Sequence, residues 1–262
     1  GLLVFDDNGT PSDDSDDKVK RLSVRNENGE IISNEIFSIA EDDNGYIWVG
    51  TNSGVAVYYN PENVFEEPNF FARQIKIPRN DGTDNADILL QTEIVTSIVV
   101  DGANKKWFGT QSAGVFYTSA DGLEQIHNFN TDNSPLLSNN IICITVSPES
   151  GEVFFGTNTG IISYRSTATT GEENFKKVYA FPNPVKPDYE GPITITGLIT
   201  GSFVKITDIS GNMVFETRSE GGQAIWDGRN GSGNRVQTGV YLVYSTNEDG
   251  SKTNITKILF IN

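Results

Sequence analysis

Three segments of this chain can be laid over one another, and no other feature restricts its fold as much. The first is Ile36-Phe-Ser-Ile, Asp42-Asp-Asn-Gly-Tyr-Ile-Trp48-Val-Gly50-Thr51 and Gly54-Val-Ala-Val-Tyr58. The second is Val95-Thr-Ser-Ile, Asp101, Lys106-Trp107-Phe-Gly109-Thr110 and Gly114-Val-Phe-Tyr117. The third is Ile141-Ile-Cys-Ile, Gly151-Glu-Val-Phe154-Phe-Gly156-Thr157 and Gly160-Ile-Ile-Ser-Tyr164. A fourth copy is represented at the start by its last element alone, Gly1-Leu-Leu-Val-Phe5. Between the closing glycines the periods are 53, 60 and 46 residues, and repeats of about 40–50 residues, each with several short strands, mark propeller blades.

The chemistry of the motif agrees with that assignment. Its apolar first strand suits a position covered on both sides by neighbouring blades. Asp-Asn-Gly reverses the chain, because Asn and Gly tolerate positive φ. Trp48, Trp107 and Phe154 share one register and are expected to fill the gap between blades. The Gly-Thr pairs Gly50-Thr51, Gly109-Thr110 and Gly156-Thr157 mark a close backbone approach where a side chain would collide. Three blades and a remnant do not close a ring, which typically takes 4–8. The natural protein is therefore expected to carry more blades upstream, and this piece to self-associate through its open edge.

Composition points the same way. The 262 residues include 26 Gly and 10 Pro and one Met, a mixture for many short strands with tight turns. No run of ten or more residues has helical apolar spacing with caps. The formal charge of −16 is concentrated in residues 1–170, with 25 acids against 10 bases; residues 171–262 have 10 against 9. An acidic body repels phosphate backbones, so nucleic acid is excluded as a partner. Residues 1–166 are thus assigned to propeller blades, 167–176 to a linker and 177–262 to a second domain.

Candidate chemistry is sparse. Cys143 and His127 are the only residues of their kinds; no intrachain disulfide can form, and a buried, inert thiol in Ile-Ile-Cys-Ile-Thr-Val is expected. No catalytic residue, cofactor site or metal site is assigned. The run Asp6-Asp7-Asn8 to Asp13-Asp14-Ser-Asp16-Asp17 lacks the spacing of an EF-hand loop and reads as a solvated surface. Residues 59–90 form a long insertion with Phe65, Phe70 and Phe71, read as a loop folded back on its own blade.

After the linker come six alternating segments, from Ile193-Thr-Ile-Thr to Ile255-Thr-Lys-Ile-Leu-Phe, in under ninety residues. That is the size of an immunoglobulin-like sandwich. Trp226 is expected in its core, with Val240 and Leu242 pointing in and Tyr241 out, and Asp227 capping its own turn. The fold class is all-β: the C-terminal part of a β-propeller followed by an immunoglobulin-like β-sandwich.

Asn34-Glu-Ile-Phe-Ser-Ile-Ala-Glu-Asp-Asp-Asn-Gly-Tyr-Ile-Trp-Val-Gly-Thr51 resembles the two-component regulator propeller repeat over residues 1–165. The C-terminal segment resembles the sorting domain of the type IX (Por) secretion system and the immunoglobulin-like domain of flagellar hook-capping proteins. Its matching motifs are Phe181-Pro-Asn-Pro184, Asp208-Ile-Ser-Gly211-Asn-Met-Val214, Trp226-Asp227-Gly228-Arg-Asn230, Gly239-Val-Tyr241-Leu242 and Lys257-Ile-Leu-Phe-Ile-Asn262. The combination resembles a propeller component of the type IX cell-surface attachment complex. That resemblance implies export through the periplasm to the outer-membrane exterior and a non-enzymatic role. The implied partners are secretion or sortase machinery proteins, with surface polysaccharide or lipopolysaccharide as a further ligand. A surface carbohydrate-active propeller enzyme, or cargo whose active part lies upstream, is the first alternative. A glycan-sensing ectodomain of a two-component regulator is the second.

Overall fold

The structure, a computed structural model, describes residues 1–79 and 81–261; Asn80 in the long insertion and Asn262 of the terminal motif lie outside the described residues. The fold is all-β, with one 3₁₀ turn at Pro61–Asn63 as the helical element among the described residues. Two compact units are present. The first takes in Gly1–Val100, Asn104–Val146 and Val153–Ser163; the second takes in Asp101–Ala103, Ser147–Glu152 and Tyr164–Asn262.

The first unit opens on a hairpin, β1 (Leu2–Asp6) with β2 (Lys18–Leu22), followed by a short pair, β3 (Val24–Arg25) with β4 (Ile31–Ser33). Blade one is β5 (Ile36–Glu41), β6 (Ile47–Thr51) and β7 (Gly54–Tyr58), joined in that order. An isolated bridge between Val57 and Arg73 stands where a fourth strand would run. The insertion then forms the hairpin of β8 (Lys76–Pro78) and β9 (Ala86–Ile88). Blade two is a full four-stranded meander, β10 (Val95–Val100), β11 (Lys106–Thr110), β12 (Val115–Thr118) and β13 (Gln125–Phe129). Blade three is β14 (Ile141–Val146), β15 (Glu152–Thr157) and β16 (Gly160–Arg165).

The repeat is thus also a repeat of register. Trp48 stands opposite Ala40, Trp107 opposite Val99 and Phe154 opposite Thr145, the same rung in each blade. Each inner strand carries a bulge at its second residue, between Ile36 and Ser38, Val95 and Ser97, and Ile141 and Cys143. Asp42 fixes the first turn by accepting from the amides of Asn44 and Tyr46, with Gly45 at φ 77°.

The second unit has seven strands in two sheets. One is β17 (Tyr179–Phe181), β18 (Ile193–Thr196) and β21 (Gln223–Trp226). The other runs β20 (Met213–Arg218), β19 (Phe203–Thr207), β22 (Gly239–Thr246) and β23 (Thr253–Phe260). Ile193, Ile195, Ala224 and Trp226 from the first sheet share a core with Val204, Ile206, Tyr241, Val243, Ile258 and Phe260 from the second. Residues 167–176, expected as a linker, lie within the second unit and are held to it: Ala168 is fully buried, Gly222 donates to the Thr169 carbonyl, and Glu172 donates to Leu198.

One facing differs from the expectation. Tyr241 and Val243 point into the core, while Val240 points out and Leu242 is half-buried. The Tyr241 ring packs against Trp226 and Phe260, and its hydroxyl donates to the Gln237 carbonyl at 2.9 Å. A core edge that offers an acceptor lets tyrosine bury its ring without stranding its hydroxyl.

Candidate functional site

The blade-to-blade joints are built from the motif residues, each with a definite task. Trp48 is buried and its ring faces Phe108 of the next blade at 6.1 Å; Trp107 is buried and faces Phe155 of the next at 5.7 Å. Trp107 also stacks on Tyr117 at 3.9 Å. A Cβ on Gly50 would lie 2.6 Å from the Val95 carbonyl oxygen, and one on Gly109 would lie 2.6 Å from Cγ2 of Ile141. Each glycine thus admits the inner strand of the following blade. The threonines lock the next turn: Thr51, Thr110 and Thr157 each donate from Oγ1 to the carbonyl of Gly54, Gly114 and Gly160, at 2.8–2.9 Å.

Blade three departs from this pattern on its trailing face, where no described blade follows. Phe154 is only half-buried, and the aromatic that seals the joint with blade two is its neighbour Phe155. Phe154 therefore does not fill an inter-blade gap as expected. Cys143 is exposed rather than buried, because it faces the same open side, with Ile142 and Ile161.

A buried ion pair that the repeat motif does not announce ties blade one to blade two. Lys106 Nζ lies 2.9 Å from Asp42 Oδ2, with both side chains sealed from water. Lys106 also donates to the carbonyls of Asn104 and Ala120, and lies 4.8 Å above the Trp48 ring. The second Asp42 partner is the Trp48 indole, which donates at 2.9 Å. Burial acts to raise the Asp42 carboxyl, but the bonds from Lys106, Trp48 and the Tyr46 amide outweigh it and hold the group below its ordinary range. The signal available was register: Lys106 occupies the rung held by Ile47 and Val153 in the other blades, and a lysine there has to find a charge.

The insertion folds back on blade one. Phe70 stacks on Tyr58 at 4.9 Å, Phe65 lies 5.9 Å from Lys18 Nζ, and Ile75 and Leu89 join Trp48 in the core. A cavity of about 300 Å³ remains on its outer side, lined by Tyr59, Asn60, Glu67, Phe70, Phe71 and Arg73. Aromatic faces beside one guanidinium and one carboxylate suit recognition by stacking and hydrogen bonding. Along the acidic run, Asp16 accepts from Asn8 and Thr10, and among the described residues no group of three or more Asp, Glu, His or Cys side chains converges as metal ligands would.

In the sandwich, Asp208 accepts from the amides of Ser210 and Asn212 and shapes the turn that contains Gly211, at φ 87°. Trp226 is fully buried and donates to the Arg229 carbonyl at 2.7 Å; Asp227 accepts from the Arg229 amide. Gly228, at φ 74°, lies against the Phe260 ring. Gly239 opens β22, which places Tyr241 in the core. Lys257 is exposed on β23, but its carbonyl accepts from Asn183, whose Oδ1 accepts from Leu259. The Phe181-Pro-Asn-Pro184 motif therefore covers the edge of β23 as a strand would.

Residues 30–53 match the model of the two component regulator propeller family. No curated protein sequence matches the chain. Among solved structures, the chain is similar to PorZ of Porphyromonas gingivalis, with 33% identity over 100% of this chain, 35% of that chain covered and a TM-score of 0.65. It is also similar to the extracellular domain of a putative one component system of B. thetaiotaomicron, with 16% identity, 90% of this chain and 37% of that one covered, and a TM-score of 0.32. The chain is thus a PorZ-like propeller segment followed in sequence by a second all-β unit, and it spans about a third of the length of PorZ.

Proposed function

We propose that this chain is an extracytoplasmic, non-enzymatic interaction module that works at the cell surface with the type IX secretion machinery. The observation that carries this reading is the similarity to PorZ along the whole chain, across both units; PorZ is described as an essential bacterial surface component of that system. The arrangement of carboxylates supports a binding role. Asp42 is tied to Lys106 and Trp48 inside a joint, and Asp101 is buried in a turn where it accepts from the Ala103 amide. Neither is presented to a substrate. The sandwich serves as the export address, and the cavity around Tyr59, Phe71 and Arg73 is the recognition surface for a surface polysaccharide or a machinery protein.

Intact mass of the surface-exposed protein in its native host tests this. Retention of residues 177–262 is the expected result for a resident of the machinery. Their removal would make the propeller ordinary cargo and overturn the reading.

A further inference from the structure

The two edges of the larger sandwich sheet are not alike. β23 is covered by Phe181-Pro-Asn-Pro184, through the bonds of Asn183 with Lys257 and Leu259. β20 meets, among the described residues, only the Gly231 amide on its outer side, which donates to the Val214 carbonyl at 3.1 Å. On its inner side, Ser219 donates to the Ser202 carbonyl at 2.9 Å, in step with the register of Val204 with Thr217 and Ile206 with Phe215. Residues 215, 217 and 219 therefore turn their main-chain groups toward β19. Glu216 and Arg218 turn theirs outward, to the free edge. Their side chains share the outer face of the sheet and are well exposed. Each has one loose ion pair at 3.9 Å, Glu216 with Lys205 and Arg218 with Glu248, and exposed pairs of that kind contribute little.

We infer that β20 is a homodimer edge, where a second copy of this chain adds its own β20 antiparallel about a two-fold axis through Thr217. Charge selects that register. With the axis at Thr217, Glu216 of each copy stands opposite Arg218 of the other, twice by symmetry. Moving the axis to Glu216 or to Arg218 sets like charges directly opposite, which is destabilising. Moving it to Phe215 sets Val214 against Glu216 and claims the Val214 carbonyl that Gly231 already holds. Only the Thr217 axis brings the outward amide and carbonyl of Glu216 to those of Arg218, a hydrogen-bonded pair on each side of the axis. Charged residues on an edge ordinarily keep strands apart. Opposite signs two residues apart do the reverse for a copy of the same strand. A hollow of about 280 Å³ lies on the outer face here, lined by Phe203, Lys205, Glu216 and Arg218 among others. It gives the second copy's guanidinium room beside Glu216, as the chain's own Arg218 lies 4.0 Å from the Phe203 ring. The shared edge is short, so the dimer is weak and depends on concentration.

The test uses the full chain carrying Cys143→Ala, which removes its one native thiol. Thr217→Cys in that background sets two sulfur atoms across the axis at a non-hydrogen-bonded pair, where the Cβ atoms come within disulfide reach. Mild oxidation is expected to give a covalent dimer, whereas Lys205→Cys, one strand in from the edge, is expected to stay monomeric. In the parent, amide exchange at Glu216 and Arg218 should slow about 10-fold from dilute to concentrated protein. Glu216→Arg and Arg218→Glu should each weaken association about 10-fold, and the two together should restore it. All these side chains except Thr217 are exposed, so the fold should survive the changes. Absence of the disulfide at residue 217, or exchange at both amides that ignores concentration, would overturn the inference. So would a double variant that associates no better than the single ones. A dimer that forms with both amides still open would place the contact elsewhere and overturn it equally.

Discussion

The ammonium of Lys106 and the carboxylate of Asp42 lie 2.9 Å apart across the joint of blades one and two, with side-chain exposures of 0% and 1%. Taking both charges out of water is costly, and their attraction offsets that cost only because every remaining site is used: the Trp48 indole takes the carboxylate, and the Asn104 and Ala120 carbonyls take the ammonium. Asp42→Ala leaves an uncompensated buried ammonium and is expected to cost about 3–5 kcal/mol. The paired replacement Asp42→Asn with Lys106→Met keeps an acceptor for Trp48 and removes both charges, so it should cost far less than the two single changes combined. Urea midpoints of the four proteins check this; simple additivity would mean the two residues do not act as a unit.

The same pair gives the propeller unit an acid limit. Asp42 titrates below its ordinary range in the folded protein, so the unfolded chain binds its proton first as pH falls. Its contribution to stability is complete above about pH 5, declines below about pH 4 and is gone beneath the folded value. Asp42→Asn should be less stable than the parent at neutral pH and should flatten the fall in stability between about pH 4 and pH 3. Melting curves across that range, at fixed ionic strength, measure it. Parallel curves for both proteins would show that other carboxylates set the limit.

The repeat made the strands legible because turn glycines, aromatic rungs and apolar inner strands recur at fixed offsets, and each offset has a steric cause. The joints were less legible, since which face of a strand is covered depends on whether a neighbour exists. Ile39 and Ile98 read alike in sequence, yet one is open and the other sealed. Cys143 is exposed and not buried for the same reason. In the sandwich, Val240-Tyr-Leu-Val243 is apolar at every position, so period-two alternation carries no facing information there. The parity was decided by an acceptor at Gln237 that only the fold supplies. Lys106 was legible in principle, as a charge on an apolar rung, but its partner Asp42 lies one blade away.

The three motif glycines should not respond alike to alanine. At Gly50 and Gly109 a methyl group meets the next blade, with Val95 and Ile141 atoms at 2.6 Å, and at Gly50 it also meets the Ser38 hydroxyl of its own blade. Neither neighbour can yield without opening a joint, so each change should cost about 1–3 kcal/mol through overpacking. At Gly156 the methyl group meets the Cys143 sulfur at 2.6 Å, within the same blade and beside open solvent. Gly156→Ala should therefore be the mildest of the three, and Cys143→Ala in the same protein should remove most of what it costs. Thermal melting of the set decides; equal losses at all three positions would contradict the assigned open face.

Aromatic truncations separate sealed joints from the open one. Trp48→Ala and Trp107→Ala each empty a buried volume between blades and should cost roughly 3–5 kcal/mol. Trp48→Ala also takes a hydrogen bond from Asp42, which places it at the upper end. Phe155 is 3% exposed and packs on Trp107, so Phe155→Ala belongs with the tryptophans. Phe154 shares the tryptophan rung but is half-buried. Its loss forfeits only part of one side chain's transfer free energy, about 1 kcal/mol. In a unit of this size each kcal/mol moves the melting point by about 2–4 °C, so the two classes are resolvable by calorimetry. A Phe154→Ala protein that melts as low as Trp107→Ala would mean that the trailing face of blade three is covered in solution. A near-native Phe155→Ala protein would mean that the joint between blades two and three is not held by that ring.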